Sequence, residues 1–237
     1  MMTESMLLQL WERCYAASPL ERTVMMSSLV EPRMSIEEIL DLPLGARDQR
    51  LIALRRSRFG DDVVSMVSCP NCQTQIELSF DLSQLAMAAN TTASAPFEVD
   101  WNDRPLMVRC PSTRDVMALA TSSSPEALLL ERCIISRPED GNVAPLADES
   151  LRRKLGTVIE EHDPLGVIEF EMQCGDCGRQ AMTLFDIGRF LWTEIDAWCQ
   201  RLLSDIHSIA RAYGWSESEI LSLGAWRRQV YLNMIRH

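Results

Sequence analysis

The sequence lacks the short motifs that mark common enzyme active sites. It has no phosphate-binding glycine loop, no Gly-x-Ser-x-Gly motif and no His-Glu-x-x-His motif. Only three histidines occur among 237 residues, and neither His162 nor His207 is accompanied by a second histidine. Because no nucleophile is placed with a base, the sequence predicts a protein that is not an enzyme.

Long apolar runs and an excess of positive charge are also missing. The acidic N-terminus leads into an apolar run that Gln9 and Glu12 interrupt, which predicts neither a signal peptide nor a membrane span. We therefore expect a cytoplasmic protein with no membrane contact. The net charge of −11 opposes contacts with phosphate, so it disfavours nucleic acid and suits basic or neutral protein partners.

Against this background, two short cysteine turns stand out. They are Cys69-Pro70-Asn71-Cys72 and Cys174-Gly175-Asp176-Cys177. Apolar residues alternate with polar ones on both sides of each turn, which predicts two β-hairpins. Phe80 and Phe185 lie at the same offset from the second cysteine of each pair, as do Asp81 and Asp186, so the hairpins form a two-copy quasi-repeat.

The four cysteines Cys69, Cys72, Cys174 and Cys177 are the predicted ligands of one structural zinc ion. Two such pairs supply four tetrahedral thiolate ligands. Zinc-ribbon pairs usually lie closer together in sequence, whereas residues 73–173 intervene here, so the metal would join one ribbon around a large insertion. The alternatives are a disulfide pair, a site without metal, or a redox Cys-Pro-x-Cys site. A reducing compartment disfavours the first, and the absence of a βαβ pattern disfavours the last.

Most of the remaining chain has helical periodicity, so the predicted fold class is α+β and mostly helical. The predicted architecture has helical N- and C-terminal parts around a split zinc ribbon of two β-hairpins. The order of the predicted elements divides the chain into four regions. These are an N-terminal helical region at 1–62, the first knuckle hairpin and helix at 63–89, an inserted hairpin with helices at 90–166, and the second hairpin with a long helix and a C-terminal helical hairpin at 167–237. Pro105 predicts an edge strand in the insertion, and Pro125 begins a helix predicted to continue through Ile135.

Two surfaces are candidates for binding a protein partner. The first is the terminal helical hairpin, whose aromatic residues are Tyr213, Trp215, Trp226 and Tyr231. The second is a basic face predicted for the helix over 46–59, with Arg47, Arg50, Arg55 and Arg58. The alternatives remain open: the four rings could form a local core, and the arginines could be a solvated face that offsets nearby acids.

Several segments resemble a known family in the order in which they occur. They are the Leu8/Leu10/Trp11/Glu12 opening, Leu42–Asp48, Arg58-Phe59-Gly60, the first cysteine turn and the Tyr213-Gly214-Trp215 ending. Together they resemble the T-even-type phage baseplate hub assembly chaperone family, including its members in contractile injection clusters.

The resemblance implies a non-enzymatic role in assembling the central hub of a contractile baseplate, with baseplate or hub proteins as partners. Three hypotheses follow. The protein is an assembly chaperone, a permanent structural component of the baseplate, or a zinc-ribbon regulator that binds nucleic acid. The net charge argues against the last.

Overall fold

The computed structural model of this chain describes residues 3–88, 95–102, 105–136 and 148–236. Within those residues the fold is α+β and mostly helical, which confirms the predicted class. The helices are α1 (Glu4–Cys14), α2 (Pro19–Val30), α3 (Ile36–Leu40), α4 (Leu44–Phe59), α5 (Leu82–Ala88), α6 (Thr113–Ala118), α7 (Pro125–Cys133), α8 (Glu149–His162), α9 (Ile187–Tyr213), α10 (Glu217–Ser222) and α11 (Ala225–Arg236). The strands are β1 (Asp62–Ser68), β2 (Gln75–Asp81), β3 (Phe97–Asp100), β4 (Pro105–Val108), β5 (Ile134–Ser136), β6 (Glu169–Gln173) and β7 (Gln180–Leu184).

The strands form two separate hairpins and one small sheet. Strands β1 and β2 pair with each other, as do β6 and β7, and a three-stranded sheet has the order β3-β4-β5. Two predictions are wrong here. The helix from Pro125 ends at Cys133 because Ile134 continues as a strand, and Pro105 begins a central strand, where its missing N–H is tolerated at the first residue.

The chain divides into two compact units, Met1–Arg22 with Arg189–His237, and Thr23–Gly188. The four-region division drawn from the sequence stays a prediction. One hydrophobic cluster of the second unit is formed by the small sheet with α7 and α8. Its buried members are Val99, Leu106, Val108, Leu130, Cys133, Leu151 and Leu155.

The first unit joins the two ends of the chain. The indole N–H of Trp11 donates to Asp196 at 2.7 Å, and Arg22 lies 4.5 Å from the centre of the Trp192 ring. Near the C-terminus, the buried side chain of Arg228 pairs with Glu4 at 2.7 Å. Helices α1, α9 and α11 are therefore linked by specific polar contacts. In the described part of the chain, no helix combines the length and apolarity needed to cross a bilayer.

The N-terminus of α4 is a junction of three chain segments. Its N-cap, Pro43, has no side-chain oxygen to accept a helix N–H. Asp163, from a distant segment, supplies the missing acceptor. Its carboxylate accepts a hydrogen bond from the Gly45 N–H at 2.9 Å. The Leu44 N–H donates to the Pro111 carbonyl at 2.9 Å. The segment Leu42–Asp48, singled out in the sequence, is thus where the insertion attaches to the N-terminal helices.

Candidate metal centre

Two β-hairpins position the four predicted ligands. Ser68 lies opposite Gln75 at the end of the first hairpin, and Gln173 lies opposite Gln180 at the end of the second. Each Cys-x-x-Cys sequence forms the turn that directly follows these pairs. Strand pairing therefore delivers both thiols of each motif to the tip of a hairpin, as predicted.

The two turns have the same backbone hydrogen bonds. The N–H of Cys69 donates to the carbonyl of Thr74 at 2.9 Å, and the N–H of Cys174 donates to that of Arg179 at 2.9 Å. These pairs occupy equivalent positions in the two copies, so the sequence quasi-repeat extends to the backbone conformation of the turns.

A left-handed residue follows the second cysteine in both turns. Gln73 has φ 63° and Gly178 has φ 70°. Glycine adopts this conformation without steric cost, whereas a residue with a Cβ is disfavoured by roughly 1–2 kcal/mol. Such strain persists where the surrounding structure holds it in place. Each turn that positions two thiols requires a left-handed residue after its second cysteine, whether that residue is Gln73 or Gly178.

The two hairpin tips bring all four cysteine sulfurs together. The Sγ atoms lie within 4.8 Å of one another. Two separations join different hairpins: Cys69 to Cys177 is 3.7 Å, and Cys72 to Cys174 is 3.6 Å. These distances are far longer than a disulfide bond of about 2.05 Å. They match the edge of roughly 3.8 Å expected when four sulfurs surround one ion at about 2.3 Å.

This donor set could hold a metal ion. Four thiolates in tetrahedral array are a ligand set typical of structural zinc, with every coordination position occupied by protein. Cys69 and Cys174 are buried, whereas Cys72 and Cys177 are exposed, so one side of the cluster is open to solvent. Metal can therefore reach the cluster without the hairpins separating.

Hydrogen bonds favour the thiolate at the two exposed cysteines. Contacts with the Thr74 side chain, whose Oγ1 lies 3.4 Å from the Cys72 sulfur, and then with the Thr74 backbone lower the pKa of the Cys72 thiol to about 6. The backbone N–H of Arg179, followed by the Asn71 side chain, lowers the pKa of the Cys177 thiol. Since a metal binds the deprotonated form, these contacts prepare both sulfurs for binding.

Contacts beyond the sulfurs hold the hairpins face to face. The Phe80 ring lies 4.4 Å from Phe170 and 4.9 Å from Phe185, centre to centre. The Thr74 hydroxyl donates to the Asp176 carboxylate at 2.8 Å. The sequence analysis did not identify Thr74 or Asp176 as site residues, because their pairing depends on how two distant turns meet.

The predicted aromatic surface separates into two parts. Tyr213, Trp215 and Tyr231 pack on one another, with ring centres 4.9–5.4 Å apart. Tyr213 is itself 38% exposed, so both interpretations of these three rings stay open. Trp226 is 78% exposed at the start of α11, and partner binding at any of the four rings stays a prediction.

The four arginines do not form one exposed basic face. Arg47 and Arg55 are buried, because they share the inward side of α4 with Leu51. The Arg47 guanidinium pairs with Asp48 at 2.7 Å and donates to Thr113, and Arg55 donates to the Gly60 carbonyl. The expectation of an outward face is thus wrong for these two residues. Arg50 and Arg58 are half-buried, and any contact of theirs with a partner stays a prediction.

Comparison with known proteins gives one family match. The model of the family described as T4 bacteriophage base plate protein matches residues 5–192, well over half of the chain. The matched region contains both hairpins and all four cysteines, and it ends within α9. Neither the curated proteins nor the solved structures yield a match.

Proposed function

The chain belongs to the T4 bacteriophage base plate protein family, and from this premise we propose that it is a non-enzymatic assembly chaperone for the baseplate hub of a phage tail or contractile injection system. Membership of a baseplate family implies that its partners are other baseplate proteins. The family match is the observation that carries the proposal. The absence of catalytic motifs in the sequence supports a role without catalysis.

We further propose that the four-cysteine cluster holds a structural zinc ion. The support is the ligand set, the sulfur separations of 3.6 and 3.7 Å and the second contact between the turns through Thr74 and Asp176. Zinc bound in this way would contribute to folding rather than to chemistry, because no coordination position remains for a substrate.

A chaperone acts in the cytoplasm of the producing cell and leaves before the particle is complete. Quantitative mass spectrometry of purified particles and of the cytosol separates this role from that of a permanent component. The proposal expects the protein in cytosolic complexes with hub proteins and its absence from mature particles. A fixed copy number per particle would instead establish the structural role.

The exposed Trp226 supplies a sharper test of how a partner is bound. Truncation after Gly214 would also remove the buried residues Ile220 and Leu232, so loss of binding would be confounded by misfolding. Trp226→Ala changes a ring that is 78% exposed, and the melting temperature should not change. In a pull-down from cells that express the whole gene cluster, the variant should recover several-fold less hub protein. Equal recovery by wild type and variant would exclude Trp226 as the contact.

A further inference from the structure

A groove crosses the second unit between α7 and α8. Its volume is about 290 Å³. Leu129, Leu130 and Cys133 line it from α7, Gly156 and Ile159 line it from α8, and Leu44 of α4 also lines it. The lining is mainly apolar, and the volume is close to the lower end of the range of small-ligand pockets.

Gly156 indicates that this groove is not a simple packing defect. It lies in the middle of α8, where glycine is less stable than alanine by roughly 0.5–1 kcal/mol. A Cβ at this position would meet no atom within 4 Å, and the backbone does not require a positive φ. Glycine is therefore not needed for packing within the described chain. Its lack of a side chain keeps the groove open.

The groove continues onto the outer face of the second hairpin. Val167 lines the groove and is 52% exposed. It lies two residues before β6, where Glu169 and Glu171 share one face of the hairpin. On β7, Leu184 and Met182 lie opposite these two glutamates and are 68% and 58% exposed. Exposed apolar side chains are thus present both at the groove and on the hairpin that follows it.

Negative charge borders this surface. Glu126 and Glu160 line the groove and Glu169 and Glu171 lie on the hairpin, whereas Arg152 is the one basic residue among the described residues that line the groove. An anionic ligand such as a phosphate or a lipid headgroup would be repelled by these carboxylates. Lysine or arginine side chains beside an apolar anchor would be attracted.

We infer that this groove and the hairpin face together, hereafter the acidic groove, bind a protein segment that presents an apolar side chain flanked by Lys or Arg. The apolar side chain seats beside Gly156, and the basic residues face the glutamates. The proposed function supplies only the source of the segment, which is a baseplate protein. The chemistry of the segment is inferred from the acidic groove itself. The acidic groove is distinct from Trp226 and from the cysteine cluster.

Two sets of short peptides test the inference. One tiles the baseplate proteins encoded in the same genome, and the other is a library of unrelated sequences with matched composition. Binding is measured by fluorescence anisotropy for the wild type, Gly156→Leu, Gly156→Ala and Thr157→Leu. Thr157 is the matched control, because it is exposed on the same helix and does not line the groove.

Peptides rich in apolar and basic residues should bind the wild type. Gly156→Leu should weaken binding by about tenfold or more, since its side chain fills the groove, while Thr157→Leu should bind as the wild type does. Gly156→Ala should have a smaller effect. The double charge reversal Glu169→Lys/Glu171→Lys should also weaken binding. The difference in affinity from the wild type should be smaller at high salt. Melting temperatures of both Gly156 variants should equal or exceed that of the wild type, which excludes misfolding.

Other outcomes separate the two proposals. Unchanged affinity in Gly156→Leu, or a preference for acidic peptides, overturns the inference while the baseplate role stands on its own test. Binding confined to the unrelated library supports the acidic groove but contradicts the baseplate source. Sedimentation that shows a dimer lost in Gly156→Leu would make a second copy of this chain the occupant, and so overturn the inference.

Discussion

At the scale of single residues, Asp48 is a buried ionisable group with both positive and negative charges near it. It is buried on the inward side of α4 with Arg47 as its charged neighbour. Burial raises the pKa of its carboxyl from 3.8 to about 6, although Arg47 opposes the shift. The ionised form is therefore less well accommodated in the folded protein than in the unfolded chain.

The raised pKa predicts a specific dependence of stability on pH. The folded state holds this proton more tightly than the unfolded state does, so the stabilisation is fully present below the unfolded pKa and is lost as pH rises through about 6. The loss in unfolding free energy at neutral pH is on the order of 3 kcal/mol. Urea unfolding of the wild type and Asp48→Asn at several pH values measures it.

Other carboxylates also titrate at acid pH, so the informative quantity is the difference between the two proteins. The wild type should gain stability relative to Asp48→Asn as pH falls from neutral towards the unfolded pKa. A difference that is constant with pH would show that the carboxyl titrates normally in the folded protein.

At the scale of elements, the start of α4 depends on a contact that is remote in sequence. Its first N–H groups have no side-chain cap of their own, and Asp163 accepts the Gly45 N–H. The carboxylate also carries negative charge to the helix N-terminus, where the helix dipole favours it. The absence of a Cβ at Gly45 is what allows this close approach.

A pair of glycine substitutions tests the contact. A Cβ at Gly45 would lie 1.9 Å from Asp163 Oδ1, and Asp163 is buried, so Gly45→Ala should displace the carboxylate and destabilise the protein by about 1–3 kcal/mol. Gly156→Ala is the matched control, because nothing lies near its Cβ; it should stabilise by about 0.5–1 kcal/mol. Denaturant midpoints measure both. Equal stability of Gly45→Ala and the wild type would mean that Asp163 can move away without loss.

At the scale of the whole molecule, the cysteine cluster closes a very long loop. The two cysteine pairs are separated by residues 73–173, and an isolated two-stranded hairpin is marginally stable in water. A metal that links them reduces the freedom of the unfolded chain between them, and this entropic effect grows with loop length. The described contacts of Phe80 and Thr74 assist in holding the hairpins together.

We therefore expect one zinc ion per chain and a substantial fall in melting temperature on chelation. Elemental analysis and calorimetry with and without a chelator measure these effects. Cys72→Ser should lose the bound zinc, whereas Cys110→Ser, a buried thiol outside the cluster, should retain it. Purified protein that contains no zinc and whose melting temperature is unaffected by chelators would contradict the structural role of the metal.

The local structure of this protein was predictable where its causes lie within a few residues. The capping boxes at Ser35 and Ser216 have such local causes, because a short side chain and an acid three residues later satisfy neighbouring N–H groups. The hairpins and their cysteine turns follow from alternation and turn residues in the same way. The resemblance to a phage baseplate family is confirmed by the match over residues 5–192, while the chaperone role stays a proposal.

Other features were decided by the tertiary structure, because they depend on segments far apart in the chain. Periodicity placed Arg47 and Arg55 outside, but acceptors at Asp48, Thr113 and Gly60 allow their burial. Ile134 became a strand because β4 offered an edge, and the acidic groove exists because α7 and α8 pack around a glycine. Spacing within each motif determined that two pairs of thiols would be presented. Only the stacking of the hairpins, through contacts between residues about a hundred positions apart, determined that the four sulfurs would meet.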